Sequence, residues 1–102
     1  MSVIVTMRAP ADTEAFRSFV QTQANADLLK KISEDARSKG AIHHQFAVGD
    51  GYIMIIDEWE TADAFTGWFE GNESVGEVMR ESGVQGEPEI SIGEAFESAD
   101  QF

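Results

Sequence analysis

The run Asp57-Glu58-Trp59-Glu60-Thr61-Ala62-Asp63-Ala64-Phe65-Thr66-Gly67-Trp68-Phe69 decides the fold. It closes a strongly apolar strand and opens an amphipathic helix, with tryptophans nine residues apart on either side of the junction. Upstream, Tyr52-Ile53-Met54-Ile55-Ile56 is a continuous apolar run and reads as a central strand. Downstream, Thr61 is placed to cap a helix, and Asp63 falls in its first turn, where the helix dipole favours an anion. Ala62, Phe65, Trp68 and Phe69 form the apolar stripe of that helix. Gly71-Asn72 breaks it, a further turn or two carries Val75, Val78 and Met79, and Gly83 stops the second piece.

Working outward, Gly49-Asp50-Gly51 is a hairpin signal between this strand and the alternating segment Ile42 to Val48. Before that segment, apolar residues at Phe16, Phe19, Val20, Ala24, Leu28, Ile32 and Ala36 recur at helical spacing. They predict one helix from an Asp12 N-cap to a Gly40 C-cap, with a dent near Asn25. Val3 to Met7 is β-branched and apolar and predicts the first strand; Glu89 to Phe96 alternates and predicts the last. The tail from Glu97 is expected to be loose unless Phe102 docks. The order is β-α-β-β-α-β, an α+β, ferredoxin-like arrangement with an antiparallel sheet and its helices on one face.

A chain of 102 residues is expected to form a single domain, with an ordered core over about residues 2–96. Cysteine is absent, which excludes disulfides, thiolate catalysis and cysteine-based metal sites. The N-terminal apolar run is too short for a signal peptide, and no run approaches the roughly 20 residues of a membrane span. A cytoplasmic location is expected. The net charge of −12, from 7 basic and 19 acidic residues, argues against nucleic acid and anionic membranes as partners. Asn72-Glu73-Ser74 matches a glycosylation sequon, which without a secretion signal is read as chance.

With a two-residue turn at Asp50-Gly51, Ile53, Ile55, Asp57 and Trp59 share a face with Ile42, His44, Phe46 and Val48. Tyr52, Met54, Ile56 and Glu58 take the other face, so the strand is apolar on both sides in its first half. Helices cover one face only, and a sheet with a wet second face carries polar residues at every second position. The second face is therefore expected to pair with a two-fold copy of itself, making a homodimer through the sheet.

Trp59-Glu60-Thr61-Ala62-Asp63-Ala64-Phe65-Thr66-Gly67-Trp68 resembles the segment Trp-x-[Ser/Thr]-x-x-Ala-Phe-x-x-Trp of the antibiotic biosynthesis monooxygenase family, including its haem-degrading branch. The resemblance implies a dimeric α+β barrel with a ligand pocket between helices and sheet in each subunit. It also implies oxidation of a small aromatic or polyketide-like substrate by O₂, with no flavin, metal or haem as cofactor. Other members have no demonstrated activity, so a non-catalytic dimer binding a small hydrophobic or aromatic ligand is the alternative. A third reading, haem binding or degradation, rests on Trp68, which stands where the haem-degrading branch has the tryptophan that presses on the porphyrin. Val78 stands where that branch has its iron-ligating histidine, and Met7 and Arg8 lie near the place of its asparagine.

The candidate catalytic residues are His44, Asp57 and Trp68. An imidazole beside a carboxylate is a general base in waiting, since His exchanges protons near neutrality. The two-residue turn sets His44 opposite or diagonal to Asp57; a three-residue turn sets His43 there instead. His43 and His44 point to opposite faces and cannot share a metal ion. Trp68 reads either as core or as pocket wall, and Trp59 as structural. Phe16, Phe19, Phe65 and Arg8 are candidate pocket-lining residues, Arg8 as a binder of a substrate carboxylate or phenolate, or else a surface residue.

Overall fold

The computed structural model describes all 102 residues. Strands β1 (Val3–Pro10), β2 (Ala41–Val48), β3 (Tyr52–Trp59) and β4 (Glu89–Glu94) form one antiparallel sheet in the order β2-β3-β1-β4. Helices α1 (Thr13–Gln21) and α2 (Gln23–Ser38) connect β1 to β2, and α3 (Ala62–Phe69) and α4 (Glu73–Glu81) connect β3 to β4. This is the ferredoxin-like α+β fold, with each crossover divided into two helices. No helix is long and apolar enough to cross a membrane.

The β3–α3 junction forms as its residues dictate. Thr61 is extended, and its hydroxyl accepts the Ala64 N–H at 3.0 Å. Gly71 sits at φ +73°, a left-handed conformation open to glycine, and Asn72 then caps α4 by accepting from the Val75 N–H. At the hairpin, Gly49 N–H donates to the Tyr52 carbonyl at 2.9 Å, leaving a two-residue turn with Gly51 at φ +78°. That turn aligns His44 with Asp57, Phe46 with Ile55 and Val48 with Ile53.

Four local features depart from expectation, the simplest being that β1 continues past Met7 to Pro10, which still pairs with Tyr52. The first crossover is not one helix: Thr22 leaves helical geometry at φ −71°, ψ 131°. The Phe19 carbonyl, which loses its usual i+4 partner, accepts the Thr22 N–H at 3.3 Å and the Asn25 side-chain amide at 3.1 Å. The break shifts the phase of the stripe. Ala24 and Leu28 face outward, while Leu29, Ile32, Ser33 and Ala36 face in. In β2 the register slips between Ala41 and His43, so Ile42 is the extra residue of a bulge and Ala41 takes the place opposite Trp59. Finally, the last strand stops at Glu94 rather than Phe96. Ala95 N–H still reaches the Ser2 carbonyl, but the Phe96 and Phe102 side chains are exposed.

β3 alternates strictly: Ile53, Ile55, Asp57 and Trp59 are buried, and the residues between them are half-buried. The core lies under the helices in two clusters. One gathers Val3, Val5, Met7, Ala36, Ile55, Trp59 and Phe65; the other holds Ala11, Phe16 and Ile53. Half-buried Phe46 packs against both clusters, and space remains between the helices and the sheet.

Candidate functional site

That space is a cavity of about 510 Å³. Its floor is the inward face of β1, β2 and β3; α1 and α2 make one side, and Trp68 with α4 the other. Sixteen of its 23 lining residues are hydrophobic, so the few polar groups define what it can do.

The central polar group is a three-residue chain built on one face of the hairpin. Asp57 and Trp59 are two apart on β3 and therefore both point inward. The Trp59 indole is fully buried, with Phe65 edge-on at 5.6 Å and Trp68 at 5.2 Å between ring centroids. Its Nε1–H donates to Asp57 Oδ2 at 3.1 Å. Across the strand pair, His44 Nδ1 lies 2.7 Å from Asp57 Oδ1. Asp57 is 4% exposed, and each of its oxygens has one partner. An ionised carboxylate only accepts hydrogen bonds, so Nδ1 is assigned as the donor, and in the neutral imidazole Nε2 then carries the lone pair. The imidazole stands edge-on to Phe46 at 5.0 Å, which stands edge-on to Phe16 at 5.2 Å. The His44 side chain is 39% exposed, so the chain runs from the dry core at Trp59 to an accessible imidazole.

His44, Asp57, Trp68, Phe16 and Phe19 all line this one cavity. Phe65 and Arg8 do not. Phe65 is 2% exposed and stacks on Phe69 in the core beneath Trp59. Arg8 is outward on β1, where its guanidinium lies 3.8 Å from the Tyr52 ring centroid on the sheet's open face. His43 pairs with Glu58 next to the Ile42 bulge, and it too is among the residues lining the cavity. Trp68 proves to be both core and wall. It packs against the Trp59 cluster, lines the cavity, and its Nε1–H donates to Asp35 Oδ2 on α2 at 3.1 Å. Lys39 holds Asp35 in turn at 3.2 Å.

Sequence reasoning left Trp59 as a packing residue. Its link to Asp57 was signalled by the i, i+2 spacing on an inward strand face. It also passed over Lys30, Ser33 and Arg37 of α2, which line the cavity. Val78 lines it too, and its side chain has no donor atom for iron, so the residues present do not fit haem as the haem-degrading branch holds it. No group of three or more His, Cys, Asp or Glu is placed to hold a metal ion.

Fold and site together define a class: a ferredoxin-like α+β domain with a largely apolar cavity between its helices and its sheet. Solved structures of this kind match the chain over nearly all its length. The ActVA-Orf6 monooxygenase of Streptomyces coelicolor, solved with nanaomycin D, matches with a TM-score of 0.69 at 13% identity, covering 99% of this chain and 93% of its own. SnoaB, a cofactor-independent oxygenase of Streptomyces nogalater, matches with a TM-score of 0.65 at 13% identity over 98% of both chains. A structure named as an antibiotic biosynthesis monooxygenase matches with a TM-score of 0.64 at 14% identity, covering 93% of this chain and 99% of its own. The chain has the fold of the antibiotic biosynthesis monooxygenases. No protein-family model and no curated protein matches its sequence, and the likeness is therefore one of fold.

Proposed function

We propose that this chain is a cofactor-independent monooxygenase of the antibiotic biosynthesis type, acting as a homodimer on a small aromatic or polyketide-like substrate. The observation that carries the reading is the His44–Asp57 pair at 2.7 Å, opening on an otherwise apolar cavity of about 510 Å³. The largely hydrophobic walls favour an apolar ring system. His44 Nε2 takes the proton of a phenol or enol, and Asp57 stabilises the imidazolium that forms. The resulting anion is electron-rich enough to be oxidised by O₂. In the net reaction a ring CH₂ becomes C=O, one oxygen atom enters the product and the other leaves as water.

The test is oxygen uptake with anthrone as substrate. Uptake of one O₂ per anthraquinone formed, above the rate without protein, is the expected result. Anthrone that binds but is not oxidised would instead make the chain a non-catalytic binder of hydrophobic ligands. Titration with haemin is expected to give a weak, broad Soret band and no bile-pigment-like product with reductant. A sharp Soret band with turnover would reverse that expectation and make His44 the first candidate for the ligand.

The dimer reading rests on the sheet's open face, where Ile4, Met54 and Ile56 remain partly exposed beside Ala47 with no helix over them. Light scattering at micromolar concentration is expected to give twice the 11.2 kDa of one chain. Ile56→Asp, which sets a carboxylate in the middle of that face, should shift the protein to monomer while leaving its circular dichroism intact. A wild-type monomer would sink the dimer reading.

A further inference from the structure

Resting on the reading of the cavity as a substrate site, we infer that its mouth is an anion subsite formed by Lys30 and Arg37, and that the substrate carries an acidic group beside its aromatic body. Lys30, Ser33 and Arg37 fall at i, i+3 and i+7 on α2, on one helix face, and all three line the cavity. The chain has only 7 basic residues against 19 acidic ones, and two of the seven stand at this one opening. Neither makes an ion pair: the pairs in the structure are Lys39–Asp35 and His44–Asp57. Both are exposed and both line the cavity, so their charged ends are within reach of its opening.

The acidic groups nearby do not cancel this pair. Asp57 is buried, with both oxygens engaged by His44 and Trp59. Asp35 is held by Lys39 and the Trp68 indole. Glu34 lies between the two cations in sequence, but it is not among the cavity-lining residues. The chain as a whole is strongly negative and repels anions at long range, so an acidic ligand is favoured only where local cations outweigh that field. The arrangement orients as well as attracts. A carboxylate or ionised phenol at the α2 rim leaves the ring system in the apolar interior, where the His44 imidazole meets its far end.

The test compares two probes of one shape, 2-naphthoate and 2-naphthamide, by equilibrium dialysis against the wild-type protein and the double variant Lys30→Gln/Arg37→Gln. Without the cations an apolar cavity should prefer the neutral amide, because a carboxylate resists leaving water. Two exposed cations are expected to reverse the order, to about fivefold in favour of naphthoate at low salt. The preference should vanish in the double variant and fade in 0.5 M salt, with naphthamide affinity unchanged in both cases. Unchanged naphthamide binding also shows that the variant is folded. Equal binding of the two probes to the wild type, or a preference that survives the double substitution, overturns the subsite and leaves the cavity reading standing. Binding of neither probe removes the cavity reading and the subsite with it.

Discussion

Trp59→Ala is expected to be the most damaging single substitution in the chain, lowering stability by about 3–5 kcal/mol. A domain of this size has about 5–15 kcal/mol in all, so the variant should be largely unfolded at modest urea concentrations. Two separable losses combine. The indole is fully buried against the Phe65 and Trp68 rings of α3, so alanine leaves a hole that α3 cannot close without moving. It is also one of only two partners of the buried Asp57 carboxylate. Trp59→Phe separates the two. The ring largely survives, the Nε1–H does not, and Asp57 Oδ2 is left unpaired in a dry site. That change alone should lower stability by about 1–3 kcal/mol. Urea denaturation followed by circular dichroism measures both variants. A Trp59→Phe midpoint equal to the wild type would mean that the indole tether contributes nothing and that Asp57 depends on His44 alone.

The same residues show how far the sequence could be read. The β3–α3 junction was legible because each of its signals is local and has one physical meaning. Thr61 offers a hydroxyl at an N-terminus, Gly71 accepts a left-handed turn, and Asn72 caps α4. The hairpin register was legible as a choice between two turns, and the Asp50-Gly51 turn set His44 against Asp57. The break at Thr22 was marked only as a dent near Asn25, three residues further on. Apolar spacing runs through it, and the phase slip of about 100° that carries Leu28 outward and Leu29 inward is what shows a full break. The Ile42 bulge is silent, because one extra residue in an edge strand changes no local preference.

The cavity was expected from the family resemblance alone; its walls could not be read from the spacing, for a more general reason. A residue that faces a hole and one that faces the core are both apolar at the same helical spacing. Phe65 and Trp68 lie three apart on one stripe, yet the first is sealed in the core and the second is a wall. Arg8 looked like a binding residue because it is basic near a strand end. The alternation of β1 sends it outward to Tyr52, and the basic residues that do reach the cavity come from the long second helix.

The second large effect is on catalysis. His44→Gln should reduce oxygen uptake with anthrone by about 10²–10⁴-fold, carried by kcat with little change in KM. Glutamine keeps the length of the side chain and can still donate to Asp57, so the cavity and the buried carboxylate stay as they are. What it lacks is a nitrogen lone pair able to take a proton. Asp57→Asn tests the same assignment from the other side. Its amide can donate to Nδ1, which drives the imidazole proton to Nε2 and removes the basic lone pair from the cavity. A fall of comparable size in both variants, with unchanged naphthamide binding, is what a base oriented by a carboxylate requires. If His44→Gln oxidises anthrone as fast as the wild type, His44 is not the base. The imidazole–carboxylate pair would then be a structural clasp between β2 and β3, and any oxidation would proceed from a substrate that loses its proton unaided.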